Sequence, residues 1–156
     1  VVVTDSADLY EKLFYNLNTT GAVLSPFDSY QLIRGLKTLS LRMERSTANA
    51  QEIVVFLEQS PAVKEVLYTG RGGMISFKVA DEKRIPHILN TLKVFSFAES
   101  LGGVESLITY PTTQTHADIP AEVRHSYGLT DDLLRLSIGI EDVRDLIEDL
   151  RQALEG

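Results

Sequence analysis

The chain contains no cysteine, which excludes disulfides, thiolate metal sites and a cysteine nucleophile at once. A reducing cytoplasm is the expected compartment. No apolar run reaches the length of a membrane span, and the opening Val1-Val2-Val3-Thr4 has neither the length nor the basic flank of a signal peptide. Basic residues are also in deficit: 15 against 22 acids give a formal charge of -7, which repels a phosphate backbone unless the bases gather on one face. The one cluster, Arg34, Lys37, Arg42 and Arg45, falls along a helical stretch and reads as a solvated, salt-bridged face. Neither nucleic acid nor membrane is an expected partner. With 44% hydrophobic and 24% charged residues, the chain lacks the bias that marks disorder, and 156 residues suffice for one ordinary core.

Read along its length, the chain begins with a β-branched run, Val1 to Thr4, expected as a strand whose neighbours lie elsewhere, so that it reads as cut from something larger. Asp5-Ser6 then offers capping side chains for a short helix with Leu9, Leu13 and Phe14 on one face, and Asn16 to Gly21 reads as a polar loop. Ser25-Pro26-Phe27-Asp28 combines a hydroxyl N-cap, a proline at the first helical position and an acid at the third, a strong helix start. Apolar residues then recur at helical period through Leu57 until Ser60-Pro61, predicting one long helix over 25–59 with Gly35 and Ser46-Thr47 as bend points.

Beyond Pro61 the elements shorten. Val63–Tyr68 and Met74–Val79 are expected strands joined by a glycine-rich link, Glu82–Leu92 a helix, and Val94–Ala98 a strand before a loop from Glu99 to Ser106. A short helix from Pro120 ends at Gly128, Leu133–Ile138 is a strand, and Asp142–Leu154 is an amphipathic helix with acids early and Arg151 late. The fold class is therefore α/β, an antiparallel or mixed sheet with helices on one face.

Three features could carry chemistry. In Leu133–Gly139, alternation puts Arg135, Ser137 and Gly139 on one face, leaving room before a guanidinium whose planar fork suits a carboxylate or phosphate. The same pattern also fits an ordinary solvent-facing arginine on a half-buried strand. The Gly102-Gly103 pair, within Ala98 to Ser106, lets backbone approach a ligand, or merely turns the chain. Thr115-His116 lies in a polar loop, where a lone histidine is most often structural. His87 and His125 lack ligand-spaced partners, so no metal site is expected, and no nucleophile elbow, phosphate loop or dinucleotide motif occurs.

Taken together, Gly21–Asp28, Arg34–Leu39 with Leu41–Glu44, Ala98–Leu107, Thr115-His116-Ala117 and Leu134–Asp142 resemble, in order and spacing, the cystathionine γ-synthase, γ-lyase and β-lyase family over nearly the whole chain. The resemblance implies the C-terminal part of a pyridoxal-phosphate (PLP) enzyme: residues 1–24 as the end of the large cofactor domain, 25–59 as a connecting helix and 60–156 as the small domain that closes over substrate. Arg135 matches the arginine that grips the substrate α-carboxylate, Ser100 and Thr115 match positions that support it, and Glu99 matches a position facing the distal end of the substrate. The family's Schiff-base lysine sits in a Ser-x-x-Lys motif that none of Lys12, Lys37, Lys64, Lys78, Lys83 or Lys93 matches, so no catalytic residue is expected within these 156 residues.

Between Tyr68 and Met74 the family carries a longer loop, so the short link implies either a deletion or omitted residues, the latter being the expectation. The implied activity is γ- or β-elimination or replacement on cystathionine or an O-acylhomoserine, in a homotetramer or dimer of dimers when full length, with this part inactive alone. The alternative readings are a non-catalytic interaction or regulatory module, a merely structural remnant, or, within the same family, a methionine γ-lyase or homoserine sulfhydrylase.

Overall fold

The structure is a computed structural model and describes residues 2–156. The described chain divides into two compact units, one up to Leu39 and one from Ser40 to Gly156.

In the first unit, Ser6 accepts from the Leu9 N–H and starts α1 (Ala7–Thr20), which Gly21 closes. The helix runs straight through Asn16–Thr20, the stretch expected to be a loop, because its polar residues suit a solvated helix end whose last carbonyls Gly21 can cap. The strand expected over 1–4 does not form in its described part, Val2–Thr4, and Val1 lies outside the described residues. β-branched residues favour a strand only where a neighbouring strand satisfies the backbone, and none pairs with them here. Helix α2 (Pro26–Leu36) begins as its sequence demands, with Ser25 Oγ accepting from the Asp28 N–H at 3.1 Å. It ends in a turn at Lys37-Thr38, so the single helix expected over 25–59 is two helices broken just beyond Gly35. No described residue of this unit is buried, although Leu9, Leu13, Phe14, Phe27, Ile33 and Leu36 are large and apolar.

The second unit starts on α3 (Leu39–Gln59) and carries a five-stranded mixed sheet: β1 (Val63–Tyr68), β2 (Met74–Val79), β3 (Ser96–Phe97), β4 (Leu107–Thr109) and β5 (Leu133–Ser137). The spatial order is β1-β2-β5-β4-β3, antiparallel except for β3 beside β4. One sheet face presents Ile75, Phe77, Ile108, Leu134 and Leu136 to a core shared with α3 (Ala50, Ile53, Leu57), α4 (Ile85–Thr91) and α6 (Val143–Glu155). The expected helix over 82–92 is thus a 3-10 turn, Glu82–Arg84, followed by α4. Helix α5 (Ala121–Ser126) lies between β4 and β5 in the chain. Strand β4 escapes sequence reading because only Leu107 and Ile108 are apolar, and a strand this short has no period to display.

The β1–β2 link is a hairpin. Gly72 takes a left-handed φ of 78° that a side chain would resist, its N–H donates to Thr47 Oγ1 at 3.1 Å, and Tyr68 Oη donates to its carbonyl at 2.9 Å. No described helix is long and apolar enough to cross a membrane.

A buried acid holds α6 against the segment that leads into β3. Asp149, 4% exposed, accepts the backbone N–H groups of Lys93, Val94 and Phe95 at 2.8, 2.8 and 3.0 Å, and Gln152 Nε2 donates to it at 2.7 Å. Three otherwise orphaned donors depend on one carboxylate, and removing it leaves them desolvated. Asp149→Ala should lower unfolding stability by about 3 kcal/mol or more, measured by denaturant titration. Glu148→Ala, exposed on the same helix, should stay within about 0.5 kcal/mol.

Candidate functional site: an unpaired arginine on the central strand

Strand β5 has a neighbour on each side, and Arg135 stands at the middle of the row Ser76–Arg135–Thr109, with Met74–Ser137–Leu107 as the next row on that face. Small or hydroxyl side chains therefore flank a guanidinium. The surface on which it sits is far from open, since Leu133, Ser137, Leu107 and Thr109 are all buried, and Arg135 is half-buried. A solvent-facing arginine on a half-exposed strand, the plain alternative from pattern alone, is not what the fold places there.

The partners of Arg135 are few. Nη2 donates to Thr109 Oγ1 at 3.3 Å, Nε is buried without a partner, and no acidic side chain among the described residues forms an ion pair with it. A half-desolvated charge without a counterion is costly. Such a group suits an anion arriving from outside, and the fork suits a carboxylate or a phosphate.

Lys78 lies on the same sheet face, one row from Arg135. Its amine is bonded to Glu65 Oε2 at 2.6 Å, and that hydrogen bond holds its pKa above the ordinary lysine value. An imine-forming or proton-abstracting lysine needs the opposite shift. Lys64 is likewise paired, with Asp132 at 3.1 Å. The described residues therefore do not provide a cofactor-binding lysine beside Arg135. No described group of three or more His, Asp or Glu could hold a metal.

Glu99 and Ser100 are exposed on the loop after β3. That loop is tied to the Arg135 strand one step away, where the Gly102 N–H donates to Ser137 Oγ at 2.9 Å. Gly102, Gly103 and Ser137, with Arg42 and Ser46 of α3, line a cleft of about 180 Å³. Thr115 is also exposed, hydrogen-bonded to His116 Nδ1 at 2.7 Å. No hydrogen bond joins Glu99, Ser100 or Thr115 to Arg135 among the described residues. The structure brings Ser137 and the glycine pair together and leaves the other three at the margin.

Sequence reading passed over the residues that build this loop. Ser106 donates its Oγ–H to Glu141 Oε2 at 2.9 Å and its N–H to Glu141 Oε1 at 2.6 Å, and it accepts from the Gly139 N–H at 2.9 Å. Asn49 of α3 donates to the carbonyls of Gly139 and Glu141 at 3.2 and 2.9 Å. Thr109, the direct partner of Arg135, was also missed. Each is a common polar residue, and only tertiary pairing reveals its job.

The arrangement defines an α/β domain with a mixed sheet and helices. The chain belongs to the family of Cys/Met metabolism PLP-dependent enzymes, whose model matches residues 1–155. It is 54% identical to cystathionine γ-synthase/O-acetylhomoserine (thiol)-lyase of Bacillus subtilis over 99% of this chain and 41% of that protein. It is 49% identical to cystathionine γ-lyase of the same organism over 99% and 45%. That second alignment runs over 171 positions, more than the 156 residues here, so the γ-lyase carries residues with no counterpart in this chain. Among solved structures, a cystathionine γ-lyase from Micromonospora echinospora superposes with a TM-score of 0.93 at 36% identity, covering 99% of this chain and 45% of the other. The cystathionine γ-synthase of Xanthomonas oryzae, in complex with aminoacrylate and cysteine, gives 0.89 at 39%, covering 98% and 44%. The chain thus spans less than half the length of these relatives.

Gly139 is the tightest point of the site. A Cβ there would collide with the Val104 carbonyl, within a loop that carries Ser100 to Ser106. The obstacle is backbone, which cannot swing aside as a flexible side chain would. Gly139→Ala should displace the 99–106 loop, seen as amide shifts at Gly102 and Ser106 in a nitrogen-proton correlation spectrum, and should destabilise by about 1–3 kcal/mol. Unchanged Gly102 and Ser106 signals would contradict the close-packing account.

Proposed function

We propose that this chain is the substrate-carboxylate side of a PLP-dependent enzyme that carries out γ- or β-elimination or replacement on cystathionine or an O-acylhomoserine. The single observation that carries the reading is Arg135, a half-buried guanidinium without a counterion among hydroxyl and small neighbours. An amino-acid α-carboxylate supplies the missing charge. Ser100 and Thr115 support the bound carboxylate, and Glu99 faces the distal end, where an acid meets the second amino group of cystathionine.

PLP, when bound by the full-length enzyme, supplies an electron sink for the substrate carbanion. This chain contributes orientation: a carboxylate fixed at two oxygens leaves the substrate few ways to turn about its Cα. Residues 1–24 finish the large cofactor domain, 25–59 form the connector and 60–156 close over the substrate. The bare apolar side chains of the first unit support that assignment, since a two-helix element with nothing buried must find its core elsewhere. The packing of Ala50, Ile53 and Leu57 into the core supports counting the second half of the connector with the closing domain. In this reading the full-length enzyme is a cytoplasmic homotetramer.

In the full-length enzyme, Arg135→Ala should lower kcat/KM for cystathionine about 100-fold or more with PLP absorbance retained. Arg135→Lys should recover little, because a point charge lacks the fork. Assays against cystathionine, methionine and O-acylhomoserines identify the reaction. Loss of bound PLP on Arg135→Ala, or unimpaired turnover, would overturn the assignment.

A further inference from the structure

Among the described residues Arg135 has one hydrogen-bonding tether, and that tether is itself held in one orientation. Thr109 lies directly opposite Arg135 across the β4–β5 ladder and is 2% exposed. Its hydroxyl has one hydrogen, which it donates to the Ala98 carbonyl at 2.9 Å. With that hydrogen committed, only the oxygen lone pairs face Arg135, and the hydroxyl accepts from Nη2 at 3.3 Å. Ser76, the neighbour opposite Arg135 on β2, makes no hydrogen bond to the guanidinium among the described residues and does not take over this role.

We propose that Thr109 is the positioning residue of the carboxylate grip: it fixes the rotation of the Arg135 guanidinium and couples it to the Ala98 carbonyl, at the root of the loop that carries Glu99 and Ser100. The proposal rests on the carboxylate reading for its functional meaning, but the fixed rotation stands or falls independently. The buried, unpartnered Nε makes the tether matter more. Nε donates in the plane of the guanidinium on the side of Nη2, so a rotation of that plane moves both donors away from an incoming carboxylate together. Thr109 acts through Arg135 and touches no substrate in this arrangement. Ala98 links it to the loop by backbone alone, so a side-chain change at position 98 leaves the coupling intact.

Two measurements test this. With nitrogen-labelled arginine in the full-length enzyme, the Nη1 and Nη2 signals of Arg135 should be separate, showing hindered rotation. Thr109→Val, which keeps the shape and removes the hydroxyl, should merge them, and Thr109→Ser should keep them apart. In the full-length enzyme, Thr109→Val should raise KM for cystathionine about tenfold, the effect of one hydrogen bond to a charged group, with kcat changed less than about threefold and PLP absorbance retained. Thr109→Ser should restore KM.

Merged Nη signals in the unmodified chain would overturn the proposal without any variant, as would a Thr109→Ser protein no better than Thr109→Val. An unchanged KM in Thr109→Val beside a raised KM in Arg135→Ala would refute the positioning role and leave the carboxylate reading standing. Signals that merge in Thr109→Val while Arg135→Ala leaves KM untouched would uphold the tether and sink the carboxylate reading.

Discussion

Arg135 emerges from a strand that is paired on both edges and buried on both faces, and no acidic side chain among the described residues answers its charge. Neutral surroundings raise the cost of that choice. The row on either side is Ser76 and Thr109, the next row carries Ser137, and none can compensate a guanidinium beyond a hydrogen bond. The fold tolerates the cost because the opposite face of the same strand buries Leu134 and Leu136 completely against α3, α4 and α6. Each fully buried leucine contributes roughly 1.5–3 kcal/mol, enough to hold β5 in place whatever its other face must carry.

The loop beside the arginine is held by a comparable trade. Glu141 sits where the chain leaves β5 for α6, and its carboxylate takes both the N–H and the hydroxyl of Ser106, at the start of β4. The start of β4 and the exit of β5 are thereby joined at one carboxylate, while Asn49 braces the same corner from α3. Gly139 has no side chain because the Val104 carbonyl occupies the space one would need. The glycine in Ser137-Ile138-Gly139 is thus a packing requirement of the loop and not a turn, and it brings the 99–106 segment down onto the strand that carries Arg135.

Periodicity alone located β2, β5 and α6 almost to the residue, because each repeats a pattern long enough to count. The caps at Ser6 and Ser25 were equally legible, being local chemistry. Two of three failures share one cause. Val2–Thr4 needed a strand partner that the sequence cannot supply, β4 was too short to show alternation, and the helix expected through residue 59 broke at Lys37-Thr38. In the first two, tertiary pairing decided what local preference left open. At the site, alternation identified the face of Arg135 but not its burial, which depends on β4 and on the loop above it.

The residues proposed for the site fall into two groups, one on a strand and one on exposed loops. Arg135 and Ser137 are placed by strand geometry, so their relation is fixed by backbone hydrogen bonds that no ligand need induce. Glu99, Ser100 and Thr115 sit on exposed loop segments, and their side chains make no bond to the arginine. Under the proposed carboxylate reading, the charge is built into a strand beforehand and the exposed segments at its margin supply the groups that complete the site. Thr109 is the point where the two parts meet, since the hydroxyl that steadies the guanidinium also holds the carbonyl from which the 99–106 loop departs.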